Sequence, residues 1–194
     1  MLTCNMSRKY KFRNEQGVYF VSTTVVNFID VFTRRLYKDI IISSLEFCQN
    51  SKGLIVYAYV IMSNHLHLII GKDPGVENNF SEIIRDFKKY TAMQVIKAIS
   101  ENMQESRRDW LLRIFESAGK MKSNNTRYQF WQQHNKPIEL ENNMIEQKLD
   151  YIHHNPVEAG WVSEPHEYYY SSARNYSGLE NPLKIYSVFD GNLI

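Results

Sequence analysis

The chain is 194 residues long, 43% apolar, 23% charged and 13% aromatic, with a formal net charge of +2. The apolar share supplies a core and excludes wholesale disorder, while the near-neutral total excludes a uniformly basic nucleic-acid coat. The length fits one domain over 1–194, with a core over about 18–160 and a C-terminal tail over 161–194.

In chain order, the N-terminal MLTCNMSRKYKFRNEQG lacks the apolar stretch of a signal peptide. Val18–Asn27 is β-branched and aromatic and predicts a strand. A helix is expected next, with Asp30 as N-cap, Gly53 as stop and Phe32, Leu36, Ile40, Leu45 and Phe47 near helical spacing. Leu54–Met62 and His65–Ile70 read as two strands of a hairpin turning at Ser63-Asn64. Asn79–Ser100 follows as an amphipathic helix with the stripe Phe80, Ile83, Ile84, Phe87, Met93, Ile96 and Ile99. Asp109–Glu116 predicts a short helix, and the polar loop AGKMKSNNTR comes after it. Tyr128–Gln133 reads as a fourth strand, and Asn142–Asn155 as a last helix stopped by Pro156. Trp131 and Trp161 are expected in the core.

This order matches a ferredoxin-like α+β fold: an antiparallel sheet with helices on one face, plus a C-terminal tyrosine-bearing helix. Leu54–Met62, the longest apolar run, is far short of the roughly 20 residues that cross a bilayer as a helix. Cys4 and Cys48 form no CxxC pair, which suits a reducing compartment. A cytoplasmic protein with no membrane partner is expected.

The charge is partitioned. Residues 1–60 carry eight Lys/Arg against four Asp/Glu, 81–127 carry ten against six, and 128–170 carry two against seven. Two basic segments around an acidic one suit either a phosphate-binding face or an ordinary solvated surface. Arg85, Lys88 and Lys89, close together on the expected second helix, pose the same choice at residue level.

Two groups of residues have chemistry in their spacing. In a strand, His65 and His67 project from one face and both imidazoles can reach one divalent metal; two half-exposed strand histidines are the plainer alternative. In the last helix, Tyr151 and Asn155 stand four apart and share a face. A tyrosine hydroxyl can act as a covalent nucleophile, and an amide oxygen with two imidazoles suits Mg²⁺ or Mn²⁺. Packing alone also accounts for a tyrosine. Successive helical positions diverge, so His153 and His154 cannot both face that metal.

The string AYVIMSNHLHLII resembles the hairpin of the IS200-like single-tyrosine transposases of the HUH endonuclease superfamily. LDYIHHNPVEAGWV resembles the helix bearing their nucleophile, while FWQQHNKPIEL and EYYYSSARNYSG are similar to segments of the REP-associated tyrosine transposase branch. The resemblance implies that His65 and His67 bind a divalent metal, Asn155 is the third ligand and Tyr151 the nucleophile. It implies a DNA transposase that cuts hairpin-forming single-stranded DNA, keeps the 5′ end on the tyrosine and frees a 3′-OH. It also implies either a homodimer with the tyrosine helix acting in trans, as in IS200 members, or a monomer, as in the REP-associated branch. Ser63-Asn64 departs from the family's frequent Pro-Asn turn, and Gln132-Gln133 replaces a more basic stretch. Two other functions fit the same residues: a domesticated, non-catalytic DNA-hairpin-binding protein, and a metal-dependent hydrolase using water in place of Tyr151.

Overall fold

The computed structural model describes residues 12–121, 127–133 and 137–194. Cys4, most of the N-terminal basic run, the centre of the AGKMKSNNTR loop and 134–136 of the FWQQHNKPIEL stretch lie outside those residues.

Four strands, β1 (Tyr19–Thr24), β2 (Leu54–Ile61), β3 (His65–Lys72) and β4 (Ile138–Glu139), form one sheet in the order β2-β3-β1-β4. Every pairing is antiparallel. With helix α1 (Arg35–Lys52) between β1 and β2, and α2 (Phe80–Glu101) after β3, this is the ferredoxin-like α+β arrangement. Helix α3 (Arg108–Lys120) follows α2, α4 (Asn142–Glu158) follows β4, and α5 (Ala173–Tyr176) is a short turn in the tail. None of the described helices is long and apolar enough to cross a membrane.

The pleat sorts the side chains of β1 between two sides. Tyr19 meets Phe80 of α2, with ring centroids 5.2 Å apart, whereas its neighbour Phe20 meets Tyr151 of α4 at 6.0 Å. Phe20, Ser22 and Thr24 lie opposite Ile69, His67 and His65 across the ladder. The two histidines therefore share the α4 side of the sheet, while Leu66, Leu68 and Ile70 are buried on the side packed by α1 and α2.

Helix α2 starts at a capping box: Asn79 accepts from the Glu82 amide, and Glu82 accepts from the Asn79 amide. Helix α1 stops where expected, at Gly53 with φ +70°. Its start differs: Asp30 accepts a hydrogen bond from the Ser63 hydroxyl at 2.6 Å, and the helix begins only at Arg35. The buried stripe shifts accordingly to Tyr37, Ile41, Ser44, Leu45 and Cys48, leaving Leu36 and Phe47 exposed. On α2, Thr91 and Val95 are buried, while Met93 is exposed.

The fourth strand is Ile138–Glu139, not Tyr128–Gln133. That stretch is anchored otherwise: Trp131 makes one bridge with Val25, and its indole donates to the Thr91 hydroxyl at 3.0 Å. Helix α4 also runs past Pro156 to Glu158. A proline this close to a C-terminus loses one backbone bond, and the turn is closed beyond it by the Ala159 amide on the Asn155 carbonyl.

The tail runs along the outer edge of β2. Ile61 donates to the Tyr170 carbonyl, Ser172 to the Tyr59 carbonyl and Tyr186 to the Val56 carbonyl, at 2.9–3.0 Å. Tyr168 and Tyr170 are buried there, their hydroxyls donating to the Ile61 carbonyl and to Asp39. Trp161 is exposed instead of lying in the core, because it follows the Gly160 turn that ends α4 (φ +71°).

Candidate active site

His65 and His67 stand side by side on β3, with ring centroids 4.8 Å apart. Their rings differ in how they are held. The Nδ1 of His65 lies 2.7 Å from the Asn64 side-chain oxygen, which acts as acceptor and so places the proton on Nδ1, leaving Nε2 with its lone pair. His67 stacks on Phe20 with centroids 5.3 Å apart and is almost wholly buried. Its buried Nδ1 has no hydrogen-bond partner among the described residues.

Burial keeps both rings neutral at ordinary pH. It pushes His67 down to about 3, helped by the proximity of His65 and Lys148. Burial also lowers His65, against the opposing pull of an Asn155 hydrogen bond and the Asp30 charge. A neutral imidazole is the form that ligates a metal.

Helix α4 brings the other two residues to the pair. The Tyr151 hydroxyl lies 3.4 Å from His67 Nε2, and its ring is 5.2 Å from that imidazole. Tyr151 keeps 41% of its surface open, so an outside group can reach its oxygen. Asn155, one turn later, donates its amide N–H to the Tyr151 carbonyl. That bond assigns the nitrogen and leaves the lone pairs of the side-chain oxygen uncommitted near His65.

Two neutral imidazoles, an amide oxygen and an accessible phenol thus converge within one chain. Among the described residues, no three His, Cys, Asp or Glu side chains stand together. The donor set is therefore mixed nitrogen and neutral oxygen with positions left for outside ligands, which fits a catalytic divalent cation better than a closed structural zinc site.

Residues 24–112 match the family model described as Transposase IS200 like. The similarity to IS200-like transposases takes in His65 and His67 and stops short of Tyr151 and Asn155. A solved structure described as "Structure of the REP associates tyrosine transposase bound to a REP hairpin" aligns over 97% of this chain and 99% of that one. At 20% identity and a TM-score of 0.61, what the two share is the fold. No curated protein matches the sequence.

The other residues singled out by the sequence lie elsewhere. Arg85, Lys88 and Lys89 belong to α2, across the sheet from the histidines. Arg85 pairs with Asp86, Lys89 is exposed, and the Lys88 ammonium donates to the Gln132 carbonyl at 2.6 Å. His153 turns to the tail, with Nε2 2.9 Å from the Ser172 hydroxyl, and His154 bonds the Asp150 carbonyl. Neither addresses the pair. The sequence marks Asn64 only as a turn residue and does not single out Lys148. Asn64 adjoins the first histidine and Lys148 sits one turn before the tyrosine, but spacing alone gives neither a role.

Proposed function

We propose that the 194 residues form a single-domain DNA transposase that cuts and rejoins hairpin-forming single-stranded DNA through a 5′-phosphotyrosyl intermediate. His65, His67 and Asn155 hold a divalent cation, Mg²⁺ or Mn²⁺, and Tyr151 is the nucleophile. The observation that carries this reading is the 3.4 Å approach of the Tyr151 hydroxyl to His67 Nε2 within the same chain. The family match and the shared fold support it.

The bound cation would supply charge withdrawal from the scissile phosphate and stabilisation of the departing oxygen. The chain's own residues do the rest. Asn64 fixes the His65 tautomer, Phe20 holds the His67 ring, and α4 brings the phenol oxygen to His67. Tyr151 Oη adds to phosphorus as the P–O3′ bond breaks; the phenol proton passes through solvent to the departing 3′ oxygen. The 5′ phosphate stays on the tyrosine. Attack by a 3′-OH then reverses the step and needs no ATP, because the phosphotyrosyl link preserves the bond energy. Exposed Arg85 and Lys89 remain proposed phosphate contacts for DNA outside the site, while Lys88 enters that set only by leaving its carbonyl partner.

The test is a pool of end-labelled hairpin oligonucleotides with random single-stranded arms, incubated with Mn²⁺ and then denatured. Label held covalently by the wild-type chain and absent with Tyr151→Phe is the expected result. Cleavage without an adduct, surviving Tyr151→Phe, would instead identify a water-using hydrolase, and binding with no cleavage a hairpin-binding protein.

A further inference from the structure

Lys148 lies on α4, one helical turn before Tyr151. Its ammonium sits 5.1 Å from the centre of the Phe20 ring and 5.5 Å from the centre of the Tyr151 ring. Those two rings and His67 form one wall, since Phe20 stacks on His67 and Tyr151 meets both. The ammonium is also near enough to His67 for its charge to disfavour protonation of that ring.

The surroundings make this placement informative. Residues 128–170 carry seven Asp/Glu, yet among the described residues Lys148 meets no carboxylate and no hydrogen-bond acceptor, only the two aromatic faces. Its helix offers no carboxylate at i±3 or i±4, where Met144, Ile145, Tyr151 and Ile152 stand, and Glu146 and Asp150 two residues away do not share its face. The side chain turns its charge toward the phenol and the imidazoles. Among the described residues, Lys148 is the cation seen against the Tyr151 ring. Aromatic faces attract an ammonium without using its N–H donors. Three donors are left for an anion arriving at the site.

We infer that Lys148 is a phosphate-binding residue of this site, its ammonium contacting a non-bridging oxygen of the phosphate that Tyr151 attacks. The inference rests on the reading of function given above and adds a residue to it. Charge accumulates on those oxygens as the phenol adds, so the contact strengthens in the transition state. It also offsets the acidic character of α4 as DNA approaches.

Lys148→Met keeps the length and packing of the side chain and removes the charge; Lys148→Arg restores it. With an oligonucleotide recovered from the hairpin pool, Lys148→Met should lower the single-turnover rate of adduct formation about 100-fold. Lys148→Arg should recover it to within about tenfold, because a guanidinium binds phosphate with different geometry. The salt slope of binding for the single strand should fall by about 0.7, the loss of one phosphate contact. A wild-type rate in Lys148→Met, with Tyr151→Phe inactive, overturns the role of Lys148 and leaves the function standing. A second measurement is independent of turnover: acylation of Lys148 by an N-hydroxysuccinimide ester, followed by peptide mass spectrometry. Saturating oligonucleotide should protect it in the Tyr151→Phe protein. Equal acylation with and without DNA overturns the inference. If the wild-type chain forms no adduct, the reading of function falls, and this footprint alone decides whether Lys148 contacts phosphate.

Discussion

Asn64 and Asn155 stand at one imidazole: the first accepts from His65 Nδ1 at 2.7 Å, and the second keeps the lone pairs of its amide oxygen uncommitted near the same ring. Partners of this kind orient a ligand and raise its basicity, and losing one typically costs ten- to a hundredfold in metal affinity. Asn64→Ala should therefore weaken Mn²⁺ binding by about that factor in calorimetric titration, without unfolding the hairpin. An unchanged affinity would show that His65 is oriented by packing alone. At this scale the sequence was readable where a period is strict. His65 and His67 had to share a strand face, and Tyr151 and Asn155 a helix face. Asn64 and Lys148 were not readable, because their roles depend on where a neighbouring element places its rings. Nothing in Lys148's own helix shows that Phe20, on the first strand, will stand across from it.

Among the elements, the end of α1 and the start of α2 were legible. Gly53 marks the end of α1 because the chain there enters the left-handed region, and Val76 packs where a side chain would go. A Cβ at Gly53 would meet Val76 Cγ2 at 2.7 Å. Gly53→Ala should thus cost more than the roughly 1–2 kcal/mol of the backbone strain alone, read as a lowered urea midpoint at constant m. The start of α1 was misjudged because Asp30 has a competing partner, Ser63, that is remote in sequence. The stripe was misjudged with it: a shift of one residue turns a helix face by 100°. Tyr128–Gln133 had strand composition, yet its tryptophan is held by a threonine on α2, a contact with no local signature. Pro156 does not stop α4, because it stands only two residues before the end at Glu158.

For the whole molecule, the two halves of the site belong to one chain. Mixing Tyr151→Phe with His67→Ala protein should restore no adduct on labelled hairpin DNA, whereas a site assembled in trans would recover activity in the mixture. A second molecule-wide consequence concerns Lys88, where α2 meets the 128–132 segment. Burial lowers its ammonium to about 8, against 10.5 when free. Between those values the unfolded chain keeps a proton that the folded chain has released, so folding gains stability as pH rises from about 8 to 10.5. Cys48 works oppositely: burial raises it from 9.0 to about 11, so its contribution is lost over that range. The comparison of wild type with Lys88→Met cancels the shared cysteine. The wild-type urea midpoint should rise relative to the variant between pH 8 and 10.5, and a constant difference would mean Lys88 is solvated.

The tail on β2 bears on how copies of this chain can meet. An open strand edge is a template onto which a second sheet adds. Here Tyr59 and Ile61 already exchange backbone bonds with Ser172 and Tyr170, and Val56 with Tyr186. The opposite edge, β4, offers only two residues. Neither rim invites a continuous sheet across two molecules, and a truncation that removes the tail would create a sticky edge in the same stroke as it unseats His153 from Ser172 behind the tyrosine helix.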